Sequence, residues 1–131
     1  MAATLTVYPW PQGIDNSQHR IRVNGQVAIA GTYAAGGFAL VWTSLTESTT
    51  GQAVLLNTTK TAPFIAYFQS ASGSGFVYQY NVATNKIQIF TVESTALSTQ
   101  SALTELAAGT VPAGVSGDTI QYEAEFVRAI Q

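Results

Sequence analysis

Histidine is the side chain best suited to general acid–base work near neutral pH, and the 131-residue chain has one, His19, beside Arg20. Acid–base catalysis needs a positioned partner, and no spacing around His19 implies one. Glu123 and Glu125 stand two apart in "QYEAEFV", which puts both carboxylates on one side of a strand, as a catalytic pair or as two residues of a solvated edge. Arg20 and Arg22 share a side in the same way, so pairing of those two strands would set unlike charges opposite each other. "GVSGD" has a serine between glycines but lacks the G-x-S-x-G spacing of a nucleophile elbow and lies among turn residues. With no cysteine and one histidine, the sequence offers neither a thiol nucleophile nor a zinc ligand set. It has no phosphate-cradling glycine motif either. "NTT" at Asn57 is a formal glycosylation sequon. These observations predict no catalytic, cofactor-binding or metal-binding residues.

The charge balance narrows the partners. A net charge of −2 provides no basic stripe for nucleic acid and no attraction to an anionic membrane. Only 9% of residues are charged, against about 25% in a typical soluble protein. With 47% hydrophobic residues the chain is ordered, and its surface must be wetted by Thr, Ser, Gln and Asn. Such a neutral surface suits a protein held against others. "MAATLTVYPWP" has no basic start and carries two prolines, which predicts no secretory signal. The most apolar window, "VAIAGTYAAGGFALVW", is too short and too interrupted for a membrane-spanning helix.

The elements that would position these residues are strands. Period-two alternation and β-branched or aromatic residues recur at 4–8, 20–24, 26–33, 38–43, 53–57, 63–69, 76–81, 86–92 and 119–129, and no long window has helical spacing. In "GFVYQYNVATNKIQIF", Phe76, Tyr78 and Tyr80 share one side, Ile87 and Ile89 return beside them, and Asn85 occupies the left-handed position of a hairpin loop. "TIQYEAEFVRA" places Ile120, Tyr122, Ala124 and Phe126 on its dry side. "TALSTQSALTELAAG" reads as a loop leading into a short strand. The expectation is a single all-β domain over residues 1–131, an antiparallel β-sandwich or small barrel of jelly-roll type.

Two stretches invite a partner. "TLTVYPWPQG" carries Tyr8 and Trp10 among prolines that pre-set an extended backbone, so residues 1–13 are either an extended N-terminal arm or a first strand folded onto the chain's own sheet. "GTYAAGG" removes nearly every packing side chain after a strand, as either a tight turn or a place where another backbone comes close. Tyr33, Gly36, Gly37 and Phe38 therefore join Tyr8 and Trp10 as candidate contacts with a partner or a second copy. Phe38, Leu40 and Trp42 share a side and read mainly as core.

The order "GTYAAGGFAL", "YQYNVATNKIQIF", "TELAAGTVPAGV" and "TIQYEAEFVRAIQ" resembles small β-rich virion proteins of tailed bacteriophages, including head decoration or cement proteins. The resemblance spans roughly residues 31–131 and rests on turn and strand idioms. Phe38 departs from it, because such proteins carry a polar or acidic residue after the Gly-Gly. It implies a non-enzymatic structural protein, without a cofactor, that docks in many copies on the major capsid protein, commonly as a homotrimer. Its place would be the capsid exterior, after synthesis in the bacterial host cytoplasm. A tail or neck component with the same sandwich is one alternative. A β-sandwich that binds carbohydrate through Tyr, Trp, Asn and Gln at loop ends is another.

Overall fold

The structure, a computed structural model, describes residues 3–9, 12–16, 19–92 and 103–129. Its strands are β1 (Ala3–Val7), β2 (Ile14–Asn16), β3 (Arg20–Ile29), β4 (Thr32–Tyr33), β5 (Phe38–Ala39), β6 (Leu45–Glu47), β7 (Ala53–Val54), β8 (Ile65–Ser70), β9 (Val77–Asn81), β10 (Lys86–Val92), β11 (Leu103–Glu105), β12 (Gly109–Thr110) and β13 (Ile120–Val127). A 3-10 turn over Trp42–Ser44 and a single helical turn, α1 (Ala113–Ser116), complete the described elements.

A large sheet runs β7-β6-β1-β3-β13-β8, with β2 continuing along the β3 edge that β1 leaves. A smaller sheet is centred on β10, with β9 along one side and β5 and β11 along the other. β4 and β12 form a third, two-stranded pair. Pairing is antiparallel except for β1 with β6, which is parallel. The described strands form a sandwich-like all-β fold, and no sheet closes into a barrel.

Alternation in β3 and β13 explains the layering. Ile21, Val23, Val27 and Ile29 of β3 and Ile120, Tyr122, Ala124 and Phe126 of β13 point inward, meeting Tyr78, Ile87 and Ile89 of the smaller sheet in one core. Trp42 packs edge-on against Tyr80, Tyr122 and Phe126 at 6.2, 5.6 and 5.5 Å between ring centroids. Such contacts add about 0.5–1.5 kcal/mol each beyond the area they bury.

Three local expectations are revised and one open choice is decided. The predicted break at residue 25 is absent because β3 runs straight through Gly25. A Cβ there would sit 1.8 Å from the Thr6 carbonyl oxygen, so this glycine admits the neighbouring strand's backbone and makes no turn. Of the two readings of the leader, its described part takes the strand reading, with β1 between β3 and β6 in the large sheet. The strand expected over 38–43 stops after Ala39, where Leu40 and Trp42 turn inward onto Asn85. The strand expected over 53–57 is limited to Ala53–Val54.

Candidate functional site

Of the residues with chemical potential, Glu123 and Glu125 are engaged through their side chains, and His19 and Ser116 are held through their backbone. Arg22 lies 3.2 Å from Glu123 and 3.7 Å from Glu125, so the carboxylate pair is the acidic half of a cross-strand ion cluster on a solvated face. His19 is exposed at the start of β3, and its carbonyl accepts the Arg128 amide. Ser116 is exposed on α1, with its amide bonded to the Pro112 carbonyl. No group of three or more His, Cys, Asp or Glu that could hold a metal ion occurs among the described residues. No helix among them is long and apolar enough to cross a membrane.

The glycine-bounded loop at 31–37 is wired from within. Tyr33 is fully buried, donating its hydroxyl to Glu105 Oε1 at 2.7 Å while accepting the Ile89 amide at 3.1 Å. Burial pushes the Tyr33 hydroxyl up to about 12. The same Glu105 oxygen accepts the Gly36 amide at 2.7 Å. These two donors, the Tyr33 hydroxyl foremost, hold the Glu105 carboxyl below its ordinary value. Gly36 and Gly37 both have positive φ, 94° and 98°. Their reasons differ. A Cβ on Gly36 would meet nothing within 4 Å, whereas one on Gly37 would sit 2.1 Å from the Ile87 carbonyl oxygen. The backbone that comes close at Gly37 is therefore the chain's own. Phe38 is buried edge-on against Tyr33 at 5.5 Å. Of the contacts expected from sequence, Tyr33 and Phe38 support the loop from inside, Gly36 and Gly37 shape it, Tyr8 is half-buried beside β3, and Trp10 lies outside the described residues.

Two further hubs close the smaller sheet onto the larger. Asn85, at φ 55°, accepts the Trp42 indole and Tyr80 hydroxyl on its side-chain oxygen at 2.8 and 2.7 Å, and donates to the Leu40 carbonyl at 2.9 Å. Asp118 accepts the hydroxyls of Ser70, Ser72 and Tyr78, joining the end of β8 to β9. Burial raises the Asp118 carboxyl, but the hydrogen bonds outweigh it and the net position is below the ordinary value. Every buried side-chain nitrogen or oxygen among the described residues has a partner.

The segment between β7 and β8 is built differently. Its backbone is fixed along the far end of β13: Thr59 and Phe64 amides donate to the Val127 and Glu125 carbonyls, and the Ala129 amide donates to Asn57. Leu56 and Ala62 pack against the core, whereas Leu55 and Phe64 remain outside. Leu55 is 87% exposed and Phe64 40%, beside Val82 at 56% and Val127 at 48%. Two grooves of about 220 and 270 Å³ adjoin at Thr59 and Lys60, one passing Leu55 and Leu56 and the other Phe64, Val82 and Val127. The Arg20 guanidinium covers one side of the Phe64 ring at 5.0 Å. Sequence reasoning assigned this stretch to two ordinary strands and missed its apolar surface. The available signal was the side-by-side pair Leu55 and Leu56, which alternation alone would not bury together.

Compared with known protein families, with curated proteins and with solved structures, the chain matches none.

Proposed function

We propose that this protein is a non-enzymatic virion component of a tailed bacteriophage, one that decorates the capsid by docking in many copies on the major capsid protein. The observation that carries the reading is the apolar end where Phe64, Val82 and Val127 line one groove and Leu55 lines the groove adjoining it. Exposed apolar side chains gathered around adjoining grooves mark a protein-contact site. The low charge limits repulsion between copies packed on one shell. Each contact needs only modest affinity, because a repeating lattice, or a homotrimer bridging neighbouring subunits, raises the effective concentration of the next contact. The resemblance of residues 31–131 to decoration proteins supplies the partner.

Quantitative mass spectrometry of purified particles tests the proposal. A copy number in simple ratio to the major capsid protein supports decoration. A few to a few dozen copies moves the protein to the neck or tail, and absence from particles removes the virion reading.

A further inference from the structure

Beyond shell docking, we propose that the outer face of the large sheet is a binding site for a neutral saccharide. Register brings the site together. Gln26 of β3 lies opposite Gln121 of β13, and Gln121 lies opposite Gln69 of β8, so three amide side chains form one row across three adjacent strands. At about 4.8 Å between strands the row spans about 10 Å, the reach of a disaccharide. In the next row Asn24 and Tyr67 stand on either side of Glu123.

The row is pre-oriented. The Gln26 and Gln121 amide nitrogens both donate to the Tyr8 hydroxyl oxygen, at 3.1 and 3.2 Å. With its oxygen accepting two hydrogen bonds, the phenol has its own proton to donate, and each glutamine keeps a carbonyl oxygen to accept. Tyr8, Asn24, Tyr67, Gln69 and Gln121 line a groove of about 590 Å³. Tyr67 is 64% exposed, although an aromatic ring on a sheet face normally packs against something.

The chemistry selects the ligand class. An amide offers a donor and an acceptor side by side, matching two neighbouring ring hydroxyls, and a tyrosine ring offers a flat apolar surface to the C–H face of a sugar. Phosphate and nucleic acid do not fit, because Arg22 is held by Glu123 and Glu125 and the nearest carboxylate would repel an anion. A peptide adding to the described sheet would pair in plane along the outer side of β8, its last strand, and would lie beside the glutamine row, not across it. Gln121 and Val127 lie near opposite ends of β13, about 20 Å apart, so a copy docked through its apolar end would still present the groove to solvent.

The test is an NMR titration of the full chain, in the absence of capsid, with cellohexaose, chitohexaose and mannohexaose in turn, each to about 10 mM. Saturable shifts of the Gln26, Gln69 and Gln121 side-chain amide signals with at least one oligosaccharide are the expected result. Tyr67→Ala should weaken that binding about tenfold, whereas Tyr67→Phe should hold it within about twofold, since the ring and not the hydroxyl does the stacking. A dispersed spectrum confirms that each variant is folded. No amide shift with any of the three sugars overturns the proposal, as do equal affinities for wild type and Tyr67→Ala, or shifts confined to the Leu55 and Val82 region. Because no capsid is present, either result leaves the docking proposal to its own test.

Discussion

Two loops of this protein invert the impression their sequences give. The stretch at 31–37, small and bounded by glycines, looks stripped for contact with another molecule, yet its tyrosine, its carboxylate partner and one of its glycines are occupied by the chain itself. The stretch at 55–64 looks like ordinary strand and turn, yet it holds its backbone against β13 and leaves leucine and phenylalanine in solvent. The difference lies in where the hydrogen bonds go. A loop whose side chains anchor it is committed to the fold, and a loop anchored by its backbone has side chains to offer.

The largest effect that would break this contrast lies at Gly37. A methyl group 2.1 Å from the Ile87 carbonyl oxygen, on a residue at φ 98°, cannot be accommodated without moving β10. Gly37→Ala should cost about 3 kcal/mol or more in urea unfolding, while Gly36→Ala, strained but unobstructed, should cost about 1 kcal/mol. Equal costs would mean that conformation alone, and no close approach, explains the pair.

Asn85→Ala comes next. It removes the acceptor of the buried Trp42 indole and the Tyr80 hydroxyl and leaves a non-glycine residue at positive φ. The expected loss is about 3 kcal/mol. Asn85→Gly, which keeps the backbone relaxed, should lose less, and the gap between the two measures the strain that asparagine tolerates.

Acid should loosen the anchored region before the exposed one. Glu105 and Asp118 are both depressed in the folded protein from ordinary values of 4.5 and 3.8. A depressed carboxyl binds fewer protons folded than unfolded, so its contribution is complete above the unfolded value and lost as pH falls through the folded one. Urea midpoints should therefore hold steady down to about pH 5 and fall below it. Replacing Glu105→Gln together with Asp118→Asn should lower the neutral-pH midpoint and flatten that acid slope. An unchanged slope would show that neither hub carries the acid sensitivity.

Much of the frame was legible in the sequence because alternation is local. The dry sides of β3 and β13 and the β9–β10 hairpin with left-handed Asn85 follow from period two, while the opposition of Arg22 to the two glutamates also required β3 to pair with β13. What could not be read depends on register between distant strands. Gly25 looked like a break because the backbone it admits belongs to Thr6, and β2, β6 and β7 are too short to show a period. The glutamine row exists only once β3, β13 and β8 are aligned, since Gln26, Gln69 and Gln121 are unremarkable along the chain. Exposure of Leu55 had only the adjacent Leu56 as its signal, because a leucine beside a strand is core more often than surface.

The smallest effect on the fold should accompany the largest on docking. Leu55→Asp combined with Val82→Asp changes two exposed side chains and should alter stability by no more than about 0.5 kcal/mol per site. The most direct measurement is co-sedimentation of wild type and this double variant with phage capsids lacking the protein. The docking account predicts saturable wild-type binding in ratio to the major capsid protein and loss of binding by the folded variant. Undiminished binding of the variant would contradict it, and no binding by the wild type would remove the capsid as partner.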